Sequence, residues 1–414
     1  MFSGFFFNLL IANLILHKLG GIFFSNYAAI TSIPLLLSFL DLSLGQVVYN
    51  ILTDRSKPNW EQQVKTYISR VFYTLIIISF LLCFVTLTIS YPLNFSQQFD
   101  LSSDQNLNAL LPINLILYFL SIPLNIGFRI LSALSKVNAI IWIQSLMYPI
   151  TFFGSFFFLN SNRNMNAIIF ILPALATFLV SLMGFLKAFT WRYLVKIETK
   201  GLGKWFKQEA IPVAFWSTLL SSLSMLIIHF PRFYLLKYGD TQSAVSYNYF
   251  LLFLLPGHSL IVTYCSVSGP KFRLKNSYQE KIVHLHHARV DVITMSLVIG
   301  GFLIITSMLG LNNFVHYLNL GEAKYIWISL ILYGLWFIPI SSLTEAKSAK
   351  QFTFDFLFGG VLIIGMLSIF HPSTFADFVE QVYLPANLFI SIKVLNSQFR
   401  LIKSEHFKRE IHDS

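Results

Sequence analysis

Twelve apolar runs follow one another along the chain, each near the roughly twenty residues that a helix needs to cross a hydrocarbon core. They lie at about Phe2–Leu16, Phe23–Leu52, Val71–Tyr91, Leu107–Ala133, Ala139–Leu159 and Ala167–Phe185. The second set lies at about Ile211–Phe230, Ser243–Val267, Val290–Leu311, Tyr325–Leu343, Phe352–Phe370 and Phe375–Val394. Lipid offers no partner to a backbone N–H or C=O, so such a chain is restricted to helices that satisfy these groups internally. Charged residues are 11% of the 414, against about 25% in a typical soluble chain, too few to clothe a water-facing surface. The expected fold is an all-α polytopic membrane protein of about twelve transmembrane helices, in two pseudo-symmetric lobes of six around a central cavity.

The basic residues orient this bundle. With the N-terminus in the cytoplasm, the outer side keeps only Lys18, Arg163, Arg232, Lys237 and Lys324; the other 24 of the 29 Lys and Arg fall in inner loops or the C-terminal tail. One miscounted span would invert every later loop and destroy the bias, so twelve spans with both ends inside is the expected topology. The net charge of +11 is therefore spent on topology, and no basic domain suggests nucleic acid. Met1–Leu16 has no basic leader or small-residue cleavage site, so it reads as the first span rather than a signal peptide. Cys83 and Cys265 both sit in apolar runs and read as small buried hydrophobes.

The inner stretch from Lys187 to Lys207 is the richest in basic residues and divides the spans six and six. The expected organisation is an N-terminal lobe over 1–186, a basic cytoplasmic linker over 187–208, a C-terminal lobe over 209–396 and a basic tail over 397–414. LGGIFFSNYAAITSIPLLLSFL resembles KYGDTQSAVSYNYFLLFLLPGHSL: a glycine turn, a Ser, a Tyr (Tyr27, Tyr247), then an apolar run broken by Pro34 or Pro256. Repeats of six spans share one topology and relate by an axis along the membrane normal.

From Leu19-Gly20 through Tyr27 to Asp41-Leu42-Ser43-Leu44-Gly45 the chain resembles the Wzx-type O-antigen and polysaccharide flippases. These belong to the multidrug/oligosaccharidyl-lipid/polysaccharide exporter superfamily. Arg232, Tyr238-Gly239, Ala244, Tyr247 and Pro270 follow that family's pattern in the second half. Ser43 stands where the family usually has Gly, and Pro231 where an acidic residue often precedes the Arg. The resemblance implies movement of a polyprenyl-diphosphate-linked oligosaccharide, an O-antigen or capsule repeat unit, from the inner to the outer leaflet by alternating access. It implies a bacterial inner membrane location, membrane lipids and polysaccharide-assembly proteins as partners, and no bond made or broken.

Asp41 lies near the middle of its run, and a carboxylate at that depth is a functional candidate by default. Coupling to H+ or Na+ is its expected role; a structural aspartate bonded to a neighbouring Ser or Asn is the plain alternative. Arg129 could hold a diphosphate through paired hydrogen bonds, against the plainer reading of an inner-leaflet anchor; Arg232, with His229 at the outer end of its span, is a further substrate-cavity candidate where basic residues are scarce, or an outer anchor. Ser217, Ser221 and Ser224 recur at one helical face, where they either line a cavity or let helices pack closely. His258 lies within about a turn of the position matching Asp41, as a proton site or a hydrogen-bonded packing residue. Asp291, Glu345 and Asp355 map near inner helix ends and read as interfacial.

No P-loop, HExxH or Cys/His cluster occurs in the sequence, so neither ATP hydrolysis nor a metal or other cofactor is expected. An O-antigen polymerase or ligase would use a large basic outer loop, and the longest outer loop, Pro92–Asn106, has no Lys, Arg or His. A cation or drug antiporter of the same superfamily would carry more buried carboxylates in the N-terminal half than Asp41 alone.

Overall fold

A computed structural model describes residues 2–36, 44–53, 60–90, 105–134, 136–161, 168–188, 211–240, 242–251, 254, 261, 264, 277–308, 320–342 and 346–413. Nearly all of these are helical, and seven helices among them are long and apolar enough to cross a membrane. The chain forms two compact units, Met1–Met225 and Leu226–Ser414.

The first unit contains α1 (Phe2–Leu19), α2 (Gly21–Leu36), α3 (Leu44–Thr53), α4 (Trp60–Ser90) and α5 (Gln105–Leu124). It continues with α6 (Ile126–Ala133), α7 (Val137–Ser145), α8 (Met147–Ser161) and α9 (Leu172–Lys187). The run expected as one span over Phe23–Leu52 is thus seen as α2 and α3, and residues 37–43 between them lie outside the described residues. Gly20 separates α1 from α2 with φ of +86°, a left-handed conformation that a Cβ disfavours. α5 and α9 each pack on a second helix, α4 and α8 respectively, and on each other. At the crossing of α6 and α9, a Cβ on Gly127 would lie 2.6 Å from the backbone of Phe185. Gly184 faces the Phe128 ring in the same way, so bare backbone sets the approach.

α10 (Ile211–Tyr238) bridges into the second unit, followed by helical residues 242–251. Then come α11 (Tyr278–Met308), α12 (Leu320–Ser342), α13 (Ala346–Phe370) and α14 (Phe375–Phe378). A π-helical turn over Val379–Tyr383 leads into α15 (Leu384–Asp413). Thr374 caps α14: its Oγ1 accepts from the Asp377 N–H at 3.2 Å and donates to the Asp377 carboxylate at 2.6 Å.

The two halves repeat one internal pattern. Gly20 and Gly239 end α1 and α10 with N–H bonds to the carbonyls of Leu16 and Leu235. Tyr27, in the next helix, packs on Phe170 at 5.9 Å; Tyr247 packs on Phe375 and Phe378 at 6.2 and 5.9 Å. These phenylalanines sit just before α9 or within α14, at the entry to the last span of each half. Polar bonds repeat as well: Ser181 donates to Asn125 Oδ1 at 2.8 Å, and Ser391 donates to the Leu332 carbonyl at 3.0 Å. In each half, then, the sixth span is tied to the fourth by a serine.

Several segments expected as inner loops are helix. α4 and α11 begin eleven and twelve residues ahead of their expected spans, and α15 runs on through the expected tail. The apolar run marks only the lipid-buried part of a helix. The flanking Gln-, Glu-, Lys- and Arg-rich turns keep high helix propensity in water, where hydropathy no longer reports on them.

Candidate functional site

In the first unit the sequence candidate best defined by contacts is Arg129. α6 carries it as an exposed residue whose side chain lies over α3. A Cβ on Gly45 would meet Arg129 Cγ at 2.8 Å and Nε at 2.9 Å. Gly45 closes the Asp41–Gly45 motif, so one motif residue seats the Arg129 side chain. Asp41 itself lies outside the described residues. Four residues earlier, Asn125 at the junction of α5 and α6 accepts from Ser181 of α9, a part-buried polar link.

In the second unit the expected span seven does not stop at Phe230. α10 passes through Pro231 to Tyr238, so Arg232 is a helix residue only 7% exposed rather than an outer-loop residue. Pro231 lacks an N–H and so withdraws the bond that the Ile227 carbonyl would accept one turn back. The adjoining Ile228 carbonyl accepts the Tyr247 hydroxyl at 2.7 Å. Tyr247 is fully buried, and both it and His229 lie within electrostatic reach of Arg232. His229 is 1% exposed, and its Nδ1 has no hydrogen-bond partner among the described residues. The structure therefore gathers His229, Arg232 and Tyr247 into one buried polar group inside an aromatic shell of Phe250, Phe375, Phe378 and Tyr383.

α10 also carries Ser217, Ser221 and Ser224. Ser224 is half-buried, and the side chains of the other two lie outside the described residues, as does His258.

Asn248 and Gln398 of this unit escaped the sequence reading, and Asp355 entered it only as an interfacial residue. Asn248 is 2% exposed, and neither end of its amide has a partner among the described residues. Its neighbour Tyr247 was legible through the repeat, but an Asn in an aromatic run gives no further signal. Asp355, expected at the interface, is instead 5% exposed. Ser397 hydrogen-bonds one of its oxygens, and Oδ2 has no partner among the described residues. Hydropathy placed it near a helix end; Ser397, on the helical extension of α15, lies beside it. Gln398, fully buried, accepts from Arg289 at 2.7 Å. No group of three or more metal-ligating side chains occurs among the described residues.

No family model and no curated protein matches this sequence. Solved structures do match. An inward-facing multidrug resistance MATE family transporter of the MOP superfamily aligns over 97% of this chain and 95% of its own, at 14% identity and TM-score 0.65. An outward-facing one aligns over 96% and 92%, at 16% identity and TM-score 0.62. A MATE structure in the bent conformation aligns over 97% and 92%, at 14% identity and TM-score 0.64. The chain thus has the fold of these transporters, a multi-pass helical membrane architecture of twelve helices in two lobes.

Proposed function

We propose that this protein is a flippase that moves a polyprenyl-diphosphate-linked oligosaccharide from the inner to the outer leaflet. Support for transport by alternating access comes from its fold, which similar proteins adopt in inward- and outward-facing conformations. The observation that favours an anionic lipid-linked substrate is Arg232, a guanidinium buried within α10 beside His229 and Tyr247. A permanent cation held in low dielectric attracts a diphosphate and repels a cationic drug. Arg129, exposed and seated on Gly45, is the corresponding cation of the first unit. Asp41 is the proposed coupling carboxylate for H+ or Na+. The proposed setting is a bacterial inner membrane with both termini cytoplasmic, and polysaccharide-assembly proteins as partners.

A second reading, a cation or drug antiporter, is favoured by the multidrug resistance description of the similar structures, with the buried Asp355 as its candidate carboxylate although it lies in the second unit rather than the first. One experiment separates the two. A strain lacking the protein is complemented with wild type, Arg232→Ala, Arg232→Lys or Asp355→Asn, and its lipid-linked oligosaccharides are analysed by leaflet. The flippase reading expects complete repeat units to accumulate on the cytoplasmic face without the protein, and Arg232→Ala to fail while Asp355→Asn complements. Units that reach the outer face normally without the protein would overturn it. If cation efflux is lost instead, and Asp355→Asn shares that loss, the antiporter reading replaces it.

A further inference from the structure

A cavity of about 520 Å³ opens beside the N-terminal part of α11, lined by Val283, Leu285, His286, His287, Arg289 and Phe399. Its volume is within the range of small-molecule and lipid sites. Its chemistry is divided. Leu285 is core, Val283 and Phe399 present apolar surface, and the remaining side chains can all carry positive charge.

Arg289 is held rather than free to sweep. One terminal nitrogen donates to Gln398 Oε1 at 2.7 Å, and its Cζ lies 5.2 Å from the centroid of the Phe399 ring. Two donors at this corner are unspent. Arg289 Nε and Gln398 Nε2 are both buried without a hydrogen-bond partner among the described residues. Buried donors of this kind call for an acceptor that the described residues do not supply.

Position narrows the acceptor. The apolar stretch of α11 begins at about Val290, so residues 283–289 occupy about two turns immediately ahead of it, about 10 Å of helix. That is long enough to span a headgroup layer, about 5–8 Å on each side of the hydrocarbon. Lys281 and His284 on α11, with Lys393, Arg400 and Lys403 on α15, give these two helices an excess of basic residues, while Glu280 lies one turn ahead of the cavity and the buried Asp355 is within electrostatic reach of Lys393 and Arg400. Asp291 is the nearest acidic residue along α11, and it already accepts the Tyr264 hydroxyl at 2.5 Å.

We propose that this cavity binds one anionic phospholipid, its phosphate facing Arg289, His286 and His287 and an acyl segment lying along Val283, Leu285 and Phe399. An apolar wall beside a basic corner suits a lipid better than a free phosphate, which has no use for the wall. The site belongs to the second unit alone and is independent of which substrate the protein carries.

Native mass spectrometry of the full-length protein, released from nanodiscs containing equal phosphatidylglycerol and phosphatidylcholine, tests this. One phosphatidylglycerol is expected to remain bound at an activation that strips phosphatidylcholine. Val283→Glu, at a position 53% exposed, puts a carboxylate at the cavity without disturbing the core. It and the paired change His286→Asn with His287→Asn should each weaken retention about tenfold, the scale of one lost charge-assisted hydrogen bond. Phosphatidylcholine binding and the melting temperature should be unchanged, which separates a lost site from a misfolded protein. Equal retention of the two lipids would overturn the proposal, as would retention unaffected in both variants. Equal protection against melting by glycerol 3-phosphate alone would overturn the lipid assignment.

Discussion

Removing the hydroxyl of Tyr247 changes one hydrogen bond and almost no volume. The ring would keep its contacts with Phe375 and Phe378, while the Ile228 carbonyl would lose the side-chain donor that Tyr247 supplies. Tyr247→Phe is expected to cost about 1 kcal/mol, read as a lower denaturation midpoint in detergent. Gly20 makes a different demand, because its φ of +86° sets the turn between α1 and α2. Gly20→Val should cost about 1–2 kcal/mol in the same assay, and no open space around the residue can relieve it, since the strain is in the backbone. Gly20 and Tyr247 were both legible in the sequence, as the marks of a repeated turn. Asn248 was not, and His229 was legible only as a neighbour of Arg232. A hydropathy pattern reports that a run is apolar overall, and it cannot say which of its few polar side chains the fold turns inward.

At the scale of helices, the tightest demand is at α6 against α9. Gly127→Leu would drive a side chain into the Phe185 backbone, which has no rotamer with which to yield. A large loss of folded protein is expected, measured as monodisperse yield by size exclusion, with Gly301→Leu as a control where a Cβ meets nothing within 4 Å. The turn after α10 adds a pH-dependent element. The Ser243 N–H and hydroxyl both donate to Asp240, holding its carboxyl below the usual range, and Ser243 Oγ in turn accepts from the Phe375 N–H at 3.0 Å. Because the folded value is lowered, this contribution is complete above the unfolded value, about 3.9, and is lost as pH falls through the folded one. The stability difference between wild type and Asp240→Asn should therefore shrink from pH 7 toward pH 3, in melts of the two proteins side by side. The helices themselves were legible from their apolar runs, but their aqueous ends were not. Lys65, Arg70, Lys281 and Lys403 lie on helices because nothing in those turns breaks a helix, whereas a count of apolar residues stops at the membrane.

For the whole molecule, the asymmetry of Lys and Arg predicts sidedness. In a variant with Cys83 and Cys265 changed to Ser, Lys237→Cys should react with an impermeant maleimide on intact cells. Lys350→Cys should react only after permeabilisation; both positions are exposed. The reverse pattern would invert the proposed topology. The six-plus-six plan was readable from the spacing of the runs, and its expression in structure is the recurring tyrosine–phenylalanine contact and serine tie in each half. The substrate is harder to read at this scale, because a fold shared with drug transporters fixes the architecture of a pathway and leaves its cargo to a few charges.

The extension of α11 beyond its apolar stretch has a mechanical consequence. Residues 278–289 form a rod about 18 Å long, continuous with the part of the helix in lipid. A rod amplifies tilt: an inclination of about 10° in the buried portion would carry Tyr278 sideways by about 3 Å, as helical rise over this length dictates. A molecule gripping the rod near Arg289 sits close to the fulcrum, where displacement is small, and so can stay attached while the far end swings.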